Sequence, residues 1–159
     1  MAFRVLDSSA FYAGIPFGSN EPSYITSLVY NEIEHIKKDH DAVQILIETK
    51  RLMISDPEHR FIITANNAAK KSGDFPNLSD EDISTIALSL QLKAELVTDD
   101  FAISNVAKNL SIKVIPVMTS GIKNIIIWKY YCPGCKTDFS KVTECPRCGN
   151  RLKRKPMKN

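Results

Sequence analysis

Residues 95–100 read ELVTDD, an apolar run that halts on two adjacent aspartates, Asp99 and Asp100. Like charges at this spacing repel, so the pair calls either for a turn that parts the two side chains or for a cation that neutralises them. Working outward, the surrounding sequence alternates short β-like runs with helical patterns. FRVLD (3–7) and RLMISDP (51–57) read as strands, the second ended by Pro57. SLVYNEIEHIKK (27–38) places Leu28, Ile33 and Ile36 near helical spacing behind a cap at Thr26 or Ser27, and DAVQILIETK (41–50) reads as a further helix. HRFIITANNAAKKSG (59–73) is a helix stopped by Gly73. In LSDEDISTIALSLQLKA (78–94), Ser79 followed by Asp82 forms an approximate capping box ahead of Ile83, Ile86, Ala87 and Leu90 on one face. ELVT, FAISNVAKNL and KVIPV complete a strand, helix, strand series, TSG (119–121) reads as a turn, and IKNIIIWKYY reads as a strand leading out of the domain.

Such alternation predicts an α/β domain, a parallel sheet with helices on both sides. Ligands of sheets of this type sit at the carboxyl ends of the strands. Asp7 ends the first strand and Asp99 and Asp100 follow ELVT, so these acids are expected on one rim.

A hydrophobic content of 43% with 25% charged residues is that of a soluble globular protein, and runs such as NIIIW fall far short of the ~20 apolar residues of a bilayer span. The N-terminus lacks the pattern of a secretory signal, so a cytoplasmic location without membrane contact is expected. Charge is distributed unevenly. From Lys129 onward nine basic residues face two acidic ones, a net of +7, whereas residues 1–128 carry −4. A basic end on an acidic body fits a polyanionic partner, with a solubilising tail as the plainer alternative.

The four cysteines form two C-x-x-C pairs, Cys132 with Cys135 and Cys145 with Cys148, nine residues apart. Two knuckles at this separation present four thiolates to zinc, and four thiolates leave no open coordination position, so the ion is expected to be structural. Disulfides are disfavoured in a cytosolic chain. A segment this short cannot bury a core alone, so the metal contributes much of its folding free energy.

Among the acids, Asp7, Glu32, Asp82 and the Asp99/Asp100 pair border apolar sequence at element ends. Taken singly, each has a plain reading: Asp82 as a cap, Glu32 as a solvated helix residue, Asp99 and Asp100 as a turn. Taken jointly, carboxylates from separate places in a parallel α/β pattern could converge on one rim and bind Mg²⁺ or Mn²⁺ through oxygen, a site suited to hydrolysing a phosphodiester. His35, His40 and His59 lie in polar helical surroundings, so a nucleophilic triad is poorly supported. No phosphate-binding glycine motif is present.

VLDSSAF with Asp7, SLVYNEI with Glu32, LSDEDISTIALSLQL with Asp82 and LVTDDFAISNVA with Asp99 and Asp100 resemble, in order and spacing, the four acidic motifs of PIN-domain nucleases. Followed by a four-cysteine ribbon, the whole chain resembles the Nin-one-binding protein family, of the archaeal type. That resemblance implies an endoribonuclease that trims the 3′ end of precursor small-subunit ribosomal RNA on a pre-ribosomal particle, using Mn²⁺ or Mg²⁺ and leaving a 3′-hydroxyl. It implies Asp7, Glu32 and Asp82 at the metal-binding places, with Asp100 or the adjacent Asp99 as the fourth acid and Ser9 and Thr98 in support. The expected division is a PIN nuclease domain over 1–120, a linker or strand over 121–130, a zinc ribbon over 131–152 and a basic tail over 153–159. Lys136, Lys141, Arg147, Arg151, Lys153 and Arg154 are the expected RNA phosphate contacts, which position without reading sequence. Tyr130, Tyr131 and Phe139 could stack on bases or pack the zinc module. Competing readings are a toxin-like PIN ribonuclease acting on other RNA, a non-catalytic RNA-binding ribosome assembly factor, and a transcription-type zinc-ribbon protein.

Overall fold

The computed structural model describes residues 3–18, 20–34, 40–117, 128–135, 138–139 and 149–156. Five short parallel strands form the main sheet: β1 (Arg4–Leu6), β2 (Ser23–Ile25), β3 (Leu52–Ile54), β4 (Glu95–Val97) and β5 (Val114–Ile115). Their order is β3-β2-β1-β4-β5, so β1 and β4 lie side by side at the centre, with Leu6 opposite Val97. Between them run α1 (Ser8–Tyr12), α2 (Ser27–Glu34), α3 (His40–Glu48), α4 (His59–Ser72), α5 (Asp80–Leu92) and α6 (Phe101–Asn109).

Strand side chains alternate between the two faces of the sheet. Val5 and Leu96 accordingly pack with Ala65, Ile86, Leu88 and Ile103 from α4, α5 and α6. Their neighbours Leu6 and Val97 pack instead with Phe11, Val29, Ile33, Val43 and Leu46 from α1, α2 and α3. Helices thus cover both faces, as the alternating pattern predicts.

Local signals explain where the helices begin and end. The Ser79 hydroxyl accepts from the Asp82 amide at 3.2 Å while the Asp82 carboxylate accepts from the Ser79 amide at 2.9 Å, a complete capping box for α5. α5 is buried from Ile83 through Ser89. Its internal hydroxyls are satisfied within the helix, Ser84 and Thr85 donating to the Glu81 carbonyl and Ser89 to that of Thr85. Gly73, at φ +83°, ends α4 in the left-handed conformation.

Two elements of the first domain carry little sequence signal. β2 is three residues long and bears the polar Ser23 between Pro22 and Thr26, while α1 is a single turn opened by Asp7. The turn expected at 119–121 and residues 122–127 of the exit strand lie outside the described residues.

A second, antiparallel sheet joins β6 (Trp128–Tyr131), β7 (Asp138–Phe139) and β8 (Lys153–Pro156), with β6 in the middle. Residues 153–156, read from sequence as the start of a tail, therefore form a strand paired with Trp128–Tyr131. Replacing Ser79 with Ala is expected to lower stability by about 1 kcal/mol. For a chain of this size that is a fall of roughly 2–4 °C in melting temperature by circular dichroism.

Candidate active site

Parallel pairing of β1 with β4 brings both strands to the same rim, where each ends on a polar residue. Asp7, only 4% exposed, follows β1. Its Oδ1 accepts from the Ser9 hydroxyl at 2.6 Å and from the Ala10 amide at 3.1 Å, so the carboxylate caps α1. Its Oδ2 accepts from the hydroxyl of Thr98, the residue after β4.

Thr98 and Ser9 also serve the next two residues: the Asp100 amide donates to Thr98 Oγ1 at 3.0 Å and the Asp99 amide to Ser9 Oγ at 3.4 Å. Asp100 caps α6, its Oδ1 accepting from the Ile103 amide at 2.9 Å. Asp99 turns toward the neighbouring β5, its Oδ1 accepting from the Val117 amide at 2.7 Å. The paired aspartates therefore diverge, one across the sheet and one onto the helix.

Asp82 arrives on the first turn of α5, and Glu32 on α2. The two helices are tied by a buried hydroxyl pair, Thr26 with Ser84 at 2.8 Å. Thr26 also accepts from the Val29 amide and so caps α2. Ser27, next along, meets the Asp56 carboxylate through both its amide and its hydroxyl.

The four acids act on one another. Burial pushes the Asp7 carboxyl above the ordinary range, hydrogen bonds from Ser9, Thr98 and Ala10 pull it back, and the charge of Asp100 raises it further. Asp82 is raised mainly by burial, and also by Asp100 and Asp7. Glu32, exposed on α2, is raised by partial desolvation first, then by Glu81, Asp82 and Asp7. The leading influences on these three carboxyls are burial, other acids, hydroxyls and amides.

The acids share one neighbourhood without closing into a cage: among the described residues, no three His, Cys, Asp or Glu side chains form a metal-holding group. Sequence reasoning missed Glu81 and Ser84, while the cap expected at Thr26 or Ser27 falls on Thr26. The signal for Glu81 lay in the SDED run itself, where it precedes Asp82.

In the second sheet, the Cys135 amide donates to the Cys132 sulfur at 3.5 Å. Cys145, Cys148, Lys136, Lys141 and Arg147 lie outside the described residues, as does His35. Arg151, Lys153 and Arg154 are exposed, and Arg154 and Lys155 lie over the rings of Trp128 and Tyr131. Tyr130, 7% exposed, packs inward. No described helix is long and apolar enough to cross a membrane.

Residues 5–92 match the family described as the PIN domain of ribonuclease. The chain is 32% identical over 157 residues to "Endoribonuclease Nob1" of Pyrococcus abyssi, covering 97% of this chain and 94% of that one. It is 37% identical over 163 residues to the protein of the same name from Methanocaldococcus jannaschii, covering 100% and 80%. "Ribonuclease VapC1" of Thermoplasma acidophilum is 36% identical over 123 residues, covering 77% of this chain and 63% of that one. The chain belongs to the PIN-domain ribonucleases and, within them, to the Nob1 endoribonuclease family.

Because the raised carboxyls hold more protons in the folded chain than in the unfolded one, their ionisation lowers stability as pH rises from the ordinary carboxylate pKa through the raised one, and the loss persists at neutral pH. Glu32→Gln removes one such charge. The variant is expected to melt above wild type at neutral pH in chelator, the gain disappearing near about pH 4. An equal or lower melting temperature at neutral pH would count against the mutual approach of these acids.

Proposed function

We propose that this endoribonuclease is divalent-metal dependent and cuts single-stranded precursor small-subunit ribosomal RNA near its 3′ end, on a pre-ribosomal particle. The observation that carries this reading is likeness over nearly the whole chain, second sheet included, to proteins named as Nob1 endoribonucleases. It is joined by a rim of carboxyls in which Asp7, Glu32 and Asp82 are raised by burial and by neighbouring acids.

Asp7, Glu32, Asp82 and Asp100 offer only oxygen donors, the set that suits Mn²⁺ or Mg²⁺. When bound, such an ion lowers the pKa of a water and stabilises charge on the scissile phosphate. The chain's own residues supply placement. Ser9 and Thr98 fix the Asp7 carboxylate, the caps of α5 and α6 fix Asp82 and Asp100, and Glu32 reaches the rim from the exposed side of α2. Water attack on the phosphodiester then leaves a 3′-hydroxyl on the upstream product. Asp99, engaged with Val117, is a supporting residue on this reading.

Cys132, Cys135, Cys145 and Cys148 would hold a structural zinc. The Cys135 amide directed at the Cys132 sulfur is the contact a knuckle turn offers a thiolate. Lys153 and Arg154 on β8, with Arg151 before it and Lys136, Lys141 and Arg147 in the ribbon, would contact RNA phosphates. Likeness to VapC1 supports a second reading, a toxin-like ribonuclease of other RNA. Cleavage of transfer RNA in preference to the precursor would favour it.

Asp7→Asn is expected to reduce Mn²⁺-dependent cleavage of a precursor fragment spanning the 3′ boundary by about a thousandfold, a loss on the scale of removing a main electrostatic group. Its RNA dissociation constant should stay within a few fold of wild type. Undiminished cleavage would refute the site. Neutralising Arg151, Lys153 and Arg154 together is expected to reduce the slope of log K against log salt by about 2, at ~0.7 per phosphate contact on a single strand. A slope unchanged in a titration series would remove β8 from the interface.

A further inference from the structure

Where α4 ends, the second sheet begins to touch the first domain. Gly73 has no side chain, and one would not fit: a β-carbon there would lie 2.6 Å from that of Trp128 and 2.8 Å from its carbonyl carbon. β6 therefore runs directly against the end of α4. Two residues on, and so on the same side of the strand, Tyr130 is buried and its hydroxyl donates to the Gly73 carbonyl.

The adjacent Asp74 is fully buried, its Oδ2 accepting from the Ser72 hydroxyl at 2.7 Å and from Asn105 Nδ2 at 2.6 Å. Its Oδ1 and the Trp128 indole nitrogen are both buried without a partner at hydrogen-bonding geometry. The indole nonetheless lies close enough to help hold the Asp74 charge, as does Arg154 of β8. A donor and an acceptor, one from each module, are thus enclosed in the same seam.

The seam also leads back to the acidic rim. Trp128 meets the edge of Phe101 with ring centroids 6.4 Å apart, and the Arg154 guanidinium covers the indole at 4.3 Å. Phe101 is the first residue of α6, bonded in sequence to Asp100. One peptide bond and two ring contacts therefore separate the rim carboxylate from the exposed cations of β8.

We infer that the second sheet is a docked arm, locked at Gly73 and Tyr130 and aligned through Trp128 and Phe101, which sets the distance between the RNA held on β8 and the phosphodiester presented at Asp100. The cut-site consequence rests on the nuclease reading above; the docking does not. A module on a loose tether raises local RNA concentration but leaves the scissile position loosely defined. A module seated on a glycine-sized gap with a buried tyrosine fixes position, and displacement by about 1 Å suffices to change rates up to a hundredfold.

Trp128 is the only tryptophan in the chain, so its emission reports docking directly. The test uses the full-length zinc- and Mn²⁺-loaded protein, with Gly73→Ala to wedge the seam and Tyr130→Phe to remove its hydroxyl bond, folding being checked by circular dichroism. Both variants are expected to shift Trp128 emission to the red and to increase its quenching by acrylamide. Both should cleave a short unstructured oligonucleotide at the wild-type rate. On a long precursor fragment, their preference for the wild-type cut over neighbouring phosphodiesters should fall about tenfold.

If Gly73→Ala fails to fold, Tyr130→Phe decides alone. Wild-type emission in the folded variants would overturn the docking, and red-shifted emission with an unchanged cut pattern would overturn the positioning role. A wild-type protein that cleaves neither RNA would overturn the nuclease reading, and the cut-site role with it. The emission of the variants would still decide the docking.

Discussion

The hydroxyl of Thr98 donates to the carboxylate of Asp7 across the ends of two adjacent parallel strands, and the site is organised around that contact. A carboxylate 4% exposed is stable only when its oxygens are hydrogen bonded. Here both oxygens are served, and the serving hydroxyls in turn accept from the amides of Asp99 and Asp100. One small network thus sets the first acid and the direction in which the chain leaves β4. That direction answers the problem posed by ELVTDD. Repulsion is eased because Asp99 reaches the Val117 amide while Asp100 turns onto the first turn of α6. Shared hydroxyls achieve with neutral groups what a buried arginine would otherwise do, and they leave the rim acidic.

Much of this was legible because the relevant signals are local. A cap such as Ser79 with Asp82, or a helix-ending Gly73, is decided within a few residues and needs no knowledge of the rest of the fold. Alternation in the strands was similarly informative: Val5 and Leu6 face opposite cores, as do Leu96 and Val97. β2 escaped notice because three residues, one of them serine, make too short a period to read, and it becomes a strand only by pairing with β1 and β3. α1 escaped because its start is fixed by Asp7, a residue held from 91 positions away by Thr98. The acids at element ends were visible individually. Their mutual approach was not, since it depends on the Thr26 and Ser84 hydroxyls that join α2 to α5 over 58 residues.

The C-terminal segment shows how composition can mislead about form. A run of Lys153, Arg154 and Lys155 looks like a solvated tail because no residue in it is apolar. Strand pairing, however, is made by the backbone, and the stems of long basic side chains cover aromatic faces while their charged ends stay in water. Arg154 over Trp128 and Lys155 over Tyr131 are instances, 4.3 and 4.9 Å from the ring centres. The aromatic residues of β6 thus divide between two tasks. Tyr130 is turned into the seam with the first domain, Tyr131 supports Lys155 of β8, and Trp128 does both, lying in the seam against Phe101 while Arg154 covers its ring.

The two modules present opposite charge, −4 over residues 1–128 and +7 beyond. On the proposed reading this asymmetry couples substrate to metal. An acidic rim without a cation repels the RNA backbone that the basic strand attracts, so the two modules oppose each other over the same polyanion. A divalent ion at the rim would offset part of that charge and offer the phosphate a positive partner, so the repulsion between rim and strand falls. Coupling of this kind is reciprocal, because whatever the ion adds to RNA affinity, RNA adds to the affinity for the ion. An RNA segment held by the basic strand alone, with the rim unneutralised, would therefore be retained but kept away from the carboxylates. On that reading a repulsive rim next to an attractive arm would make binding and cleavage separable, and the Thr98–Asp7 network contributes by organising the acids with neutral hydroxyls.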